Sequence, residues 1–216
     1  MGFQLGTSEY IEYLKKAHAR IHADGEYITA LDAATGDGDH WTNLNMGFEK
    51  LVSMADELSA LNLSDAFKKI GMTMMSVIGG SSGALYGSAY MEAAKKTAGK
   101  TALDSEGLCE VLEAMLGGIM NRGKSEPGFK TMIDALYPAV QCYRDCLGRN
   151  EDERMTMELV KQAAMEGARS TKDMEAVKGR AYYQANKGVG HIDPGALTMA
   201  YQIEILTDYI ADSLLV

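Results

Sequence analysis

The chain has 216 residues, 46% of them hydrophobic and 24% charged, with a formal net charge of −9. That length suits one domain, 1–216, able to bury a sizeable core. The acidic balance, with no dense Lys/Arg run, excludes a nucleic-acid footprint and argues against anionic membranes as partners.

No stretch of about 18 apolar residues is present, so no membrane span is expected. No charged segment precedes an apolar run at the N-terminus, so no signal peptide is expected either. Cys109, Cys142 and Cys146 are odd in number and spaced for neither a disulfide framework nor a zinc site. A reducing, cytoplasmic setting fits these features.

Helical spacing dominates from the start. Thr7 or Ser8 can cap a first helix with Tyr10, Ile11, Leu14, Ala17 and Ile21 on one face. A second, short helix leads into LDAATGDGDHWTN, residues 31–43. A third is expected over 43–58 and a fourth over 64–77. GGSSG (79–83) breaks the pattern, and a fifth helix follows it to about residue 96. Ser105 followed by Glu106 opens a sixth, ending near 120. NRGKSEPG (121–128) reads as a loop, since Gly128 follows Pro127. Further helices are expected over 131–147 and 153–171. The last runs from Pro194 or Gly195 to the C-terminus, with Asp193 near its cap. No alternating run of Val, Ile and Thr appears, so strands are not expected and the fold class is all-α. The 15 methionines read mostly as filler between helices. Small polar residues collect in four loops, 35–43, 79–83, 121–130 and 173–195, which suggests one shared site at one end of a bundle.

Two short motifs mislead. Residues 118–125, GIMNRGKS, satisfy the P-loop pattern, but a P-loop needs a strand before it and a helix after it. Here a helical stretch precedes and a turn follows. GGSSG fits the nucleophile-elbow pattern with Ser81 in the serine position, again without a preceding strand. A hydrolase using Ser81, His191 and an aspartate is therefore disfavoured. Gly80, Ser81 and Ser82 ahead of a helix instead offer N–H groups, hydroxyls and positive dipole to an anion. A plain N-cap at Ser81 or Ser82 explains the same residues.

Asp32, Asp37 and Asp39 are hard oxygen donors suited to Mg²⁺ or Ca²⁺. An EF-hand is excluded, because Phe48 stands where its loop needs glutamate. Solvated turn aspartates remain the alternative. In the last loop, Arg180 and Lys187 can neutralise phosphate oxygens.

Four stretches together, LDAATGDGDHWTNLNMGF, GMTMMSVIGGSSGALYG, RGKSEPGFKTMIDA and KGRAYYQANKGVGHIDPGA, resemble the nucleotide-binding (DhaL-type) subunit of dihydroxyacetone kinase over nearly the whole chain. The resemblance implies an antiparallel eight-helix barrel with ADP or ATP and two Mg²⁺ held by loops at one end. It implies Asp32, Asp37 and Asp39 as metal ligands. It implies that His40, Trp41, Thr42, Asn43, Gly80, Ser81, Ser82, Gly123, Met132, Arg180, Asp193, Pro194 and Gly195 line the nucleotide. Arg180 would also act catalytically, stabilising charge on the transferring phosphoryl group. Chains of this length resemble the phosphotransferase-system-dependent type. There, bound ADP is rephosphorylated by a DhaM-type phosphohistidine protein, and a DhaK-type subunit holds dihydroxyacetone. A homodimer is expected. The sequence leaves open another acceptor on a separate chain, or a nucleotide-loaded protein that binds a transcriptional regulator. The chain departs from the family pattern at Trp41, Phe129 and Tyr182; Trp41 and Phe129 fall in loops expected to face the nucleotide.

Overall fold

The computed structural model describes residues 2–215. Ten α-helices occur among them: α1 (Thr7–Ala23), α2 (Gly25–Thr35), α3 (His40–Ser53), α4 (Ala55–Ser59), α5 (Leu63–Val77), α6 (Gly80–Lys96), α7 (Ser105–Gly123), α8 (Ile133–Gly148), α9 (Glu153–Ser170) and α10 (Pro194–Tyr209). Side-chain caps fix four of the starts. Asn62, Asp104, Asp152 and Asp193 accept the backbone N–H of Asp65, Gly107, Met155 and Ala196, opening α5, α7, α9 and α10. Each satisfies an otherwise orphaned donor, a gain of about 1 kcal/mol.

Eight of the helices close a ring. In order around it, α1 packs on α3, α3 on α5, α5 on α6, and so on through α7, α8 and α9 to α10, which returns to α1. This is the expected eight-helix barrel. The count of ten arises because α2 and α4 are short extra helices outside the ring. Residues 43–58 were expected as one helix, but the chain turns at Met54 and splits it into α3 and α4. Strands were not expected, yet Leu5–Gly6 (β1) pairs antiparallel with Ala102–Leu103 (β2). Two residues per strand are too few to show alternation in sequence.

The barrel interior is filled by apolar side chains and tyrosines, Tyr86, Tyr90 and Tyr143 among the largest fully buried. Their hydroxyls are partnered: Tyr90 with Tyr10 at 3.0 Å, Tyr143 with Ser105 at 3.1 Å, and Tyr86 accepting from Gln202 Nε2 at 2.7 Å. Buried hydroxyls are tolerated only on such terms. Met46, Met72, Met75 and Met155 are exposed, so not every methionine is filler. Among the described residues, no helix is long and apolar enough to cross a membrane.

Helix α9 approaches α8 closely at Gly167, where a Cβ would fall 2.2 Å from the Asp134 carbonyl and 2.7 Å from Pro138 Cγ. Glycine-to-alanine inside a helix ordinarily stabilises, by up to about 1 kcal/mol. Gly167→Ala should do the reverse, costing about 2 kcal/mol through overpacking. Thermal unfolding of the variant checks the sign: Tm should fall by about 4–8 °C.

Candidate functional site

Adjacent ring helices run in opposite directions, so alternate helix starts meet at one end. The first residues of α3, α6, α8 and α10 and the last of α7 all border one cavity of about 660 Å³. That size falls in the range of small-molecule sites. The four polar loops expected to share one end do so, with lining residues from 32–43, 79–85, 119–133 and 178–195.

The acidic corner is built by the end of α2 and its link to α3. Asp32 lies in the last turn of α2, buried, while Asp37 and Asp39 are exposed in the link. One carboxylate oxygen from each lies within 4.8 Å of the others. The backbone N–H of His40 donates to Asp32 Oδ2 at 2.9 Å, fixing that carboxylate. At Gly36 a Cβ would stand 2.6 Å from Asp32 Oδ1, so a side chain there would push that carboxylate aside; Gly38 takes φ +77, a left-handed turn. Donors on opposite sides of one hard cation are about 4.2 Å apart for Mg²⁺ and about 5 Å apart for Ca²⁺, so this all-oxygen set is of the size such a cation takes with small side-chain adjustment.

Arg180 reaches the same corner, its Nη2 2.6 Å from Asp37 Oδ2. The pair is largely exposed, with the Arg180 side chain at 63%. Such a pair contributes at most about 1 kcal/mol. Arg180 can therefore exchange Asp37 for another anion at little cost.

His40 and Asn43 are three apart on α3 and share the face toward the cavity. Trp41 and Thr42 lie on its other faces and do not line it. The Trp41 indole N–H donates to the Ile21 carbonyl at 3.1 Å, and its ring covers Gly25, where a Cβ would sit 2.6 Å away. Phe129 also stays off the cavity, and Tyr182 is exposed outside it. Lys187, read as a phosphate partner, pairs with Glu175 at 2.8 Å instead. Gly80, Ser81, Ser82, Gly123, Met132, Arg180, Asp193, Pro194 and Gly195 all border the cavity. Gly80 to Ser82 form the first turn of α6 rather than a loop before it. Residues 118–123 are the end of α7, so the P-loop pattern has no strand. His191 is exposed and does not line the cavity.

The His40 ring is partnered at Nε2 by Thr198 Oγ1, 2.9 Å away. Burial pushes its pKa down, opposed by the nearby Asp32 and Asp39. Burial pushes the Asp193 carboxyl up to about 7, against the Ala196 N–H and Lys130. Thr35, Arg122, Lys130 and Lys178 also line the cavity. Sequence reasoning assigned them no role. A lone Lys or Thr in a loop looks the same whether it is solvated or turned inward.

An all-α ring with a carboxylate triad and four helix N-termini around one pocket defines a class of helical domain with its polar groups gathered at one end. Within that class, residues 34–208 match the model of the DAK2 domain, and the chain belongs to this family. It is 34% identical over 202 residues to the PEP-dependent dihydroxyacetone kinase ADP-binding subunit DhaL of Escherichia coli K12, covering 94% of this chain and 96% of that protein. It is 40% identical over 190 residues to subunit DhaL of PEP-dependent dihydroxyacetone kinase 1 from Listeria innocua, covering 88% and 90%. The crystal structure of the C. freundii dihydroxyacetone kinase in complex with AMP-PNP and Mg²⁺ is similar with a TM-score of 0.68 and 26% identity. The match covers 92% of this chain and 33% of that one, so this chain spans about a third of that kinase.

Gly36→Ala should displace the Asp32 carboxylate and weaken divalent-cation binding about tenfold or more, as loss of supporting geometry around a metal does. Titration calorimetry with Mg²⁺ in the presence of ADP reads the change.

Proposed function

We propose that this chain is the nucleotide-holding subunit of a dihydroxyacetone kinase of the phosphotransferase-system-dependent type. The observation that carries the reading is the convergence of Asp32, Asp37, Asp39 and Arg180 at a cavity bordered by four helix N-termini. Relatives of matching length are named ADP-binding subunits of PEP-dependent or PTS-dependent dihydroxyacetone kinases.

On this reading Asp32, Asp37 and Asp39 would hold two Mg²⁺ ions when ADP or ATP is bound. When bound, the cations neutralise phosphate charge and leave phosphorus open to attack. The N–H groups at the starts of α6 and α10, with the Ser81 and Ser82 hydroxyls, orient the phosphates. Met132 and the wall formed by Leu85 and Ile119 offer apolar surface to the base. Arg180 moves from Asp37 to the phosphoryl oxygens and stabilises their charge. No side chain near the cavity is needed to bind the acceptor. A DhaK-type partner presents dihydroxyacetone, and a DhaM-type phosphohistidine protein returns a phosphoryl group to ADP in place.

Denaturing freshly purified protein and assaying the released nucleotide and metal tests the reading. About one ADP and two divalent ions per chain is the expected result, and Asp37→Asn should lose both. A chain that binds neither ADP nor ATP overturns it. Arg180→Ala should keep the nucleotide but lower turnover with the DhaK-type partner about 10³-fold, the scale of removing a phosphoryl-stabilising arginine.

A further inference from the structure

Between Thr171 and Asp193 the chain forms a strap with two short 3-10 turns, Thr171–Asp173 and Arg180–Tyr183, that brings Lys178, Gly179 and Arg180 to the cavity. Within the strap, the Gly190 N–H donates to the Lys172 carbonyl at 2.8 Å and the Asp193 N–H to Thr171 Oγ1 at 2.9 Å, which ties its two ends to each other. Its ion pairs, Arg180 with Asp37 and Lys187 with Glu175, are exposed and screened by water, and the second stays within the strap.

Lys130 is placed differently. It stands ahead of α8 and is only 2% exposed. Its ammonium donates to the carbonyl of Thr171, at the strap's first end, and to that of His191 at 2.6 Å, near its last. Its stem runs beneath the strap, for a Cβ at Gly188 would lie 3.0 Å from Lys130 Cε, and Gly188 takes φ +75. Asp193, Asp134 and Asp173 face the ammonium and oppose the effect of its burial. The backbone of Lys130 adopts φ +61, a left-handed conformation unfavourable for a lysine unless its surroundings hold it there. A neighbouring main-chain bond, from Val177 N–H to the Phe129 carbonyl at 3.2 Å, ties the same segment to the strap.

We propose that Lys130 is a positioning residue that pins both ends of this strap, and so sets where Arg180 and Asp193 stand around the cavity. Buried carbonyls need a donor, and an ammonium supplies two bonds and a charge from one atom. Removing it leaves the Thr171 and His191 carbonyls without that partner and the facing carboxylates without their countercharge. The consequence for nucleotide binding rests on the kinase reading above; the pinning of the strap does not.

Limited trypsin digestion of the full chain tests it, because Lys178 and Arg180 are cleavage sites within the strap. K130M keeps the stem and deletes the charge. It should be cut at Lys178 and Arg180 about tenfold faster than wild type while unfolding cooperatively with heat, since cleavage tracks the population of the open strap. ADP–Mg affinity should fall about tenfold with it. K130R, which restores a cation with several donors, should recover most of the protection and the affinity. Should K130M lose its cooperative transition, K130Q is digested in its place. K130M or K130Q cut at the wild-type rate overturns the proposal, as does K130R cut as fast as K130M. The digestion needs no nucleotide, so a wild-type chain that binds none defeats the kinase reading while leaving the strap experiment decisive.

Discussion

The repulsion among Asp32, Asp37 and Asp39 is the constraint on which the rest of this molecule depends. Their oxygens lie within 4.8 Å of one another. At an effective dielectric of about 20, two carboxylate charges at that spacing repel by roughly 3.5 kcal/mol, and by less where water reaches them. In a chain of net charge −9, positive potential beside such a cluster offsets part of that repulsion. The barrel supplies it by topology. Antiparallel closure brings the starts of α3, α6, α8 and α10 to one end, each with the partial positive charge of a helix N-terminus. Arg180 adds a full positive charge beside Asp37.

Much of this was legible in the sequence. The fold class followed from the spacing of apolar residues and the lack of alternation. The acidic corner stood out because LDAATGDGDHWTN is too polar for a packed face and too rich in glycine for a strand. The four loops announced themselves by composition. Turn chemistry set several limits. The sharp turn at Met54 carries no glycine or proline, so α3 and α4 read as one helix. Gly79 and Gly80 read as breakers, although Gly80 with φ +65 begins α6.

The misplacements among site residues share one cause. Motif reading assigns consecutive residues as a block, but a helix turns about 100° per residue. His40 and Asn43 therefore reach the cavity, while Trp41 and Thr42 between them do not. Lys130 illustrates the opposite limit. Its partners are backbone carbonyls 41 and 61 residues away, and carbonyls carry no sequence signature.

Trp41 is the chain's sole tryptophan. It sits one residue beyond His40, whose N–H holds Asp32, and its indole is tied to Ile21 and laid over Gly25 and near His22. The packing that takes it out of the cavity makes it an intrinsic optical reporter. Any shift of the acidic link relative to α1 must alter the surroundings of that ring. The chain thus carries its own fluorophore a short step from its carboxylate triad, readable without a label.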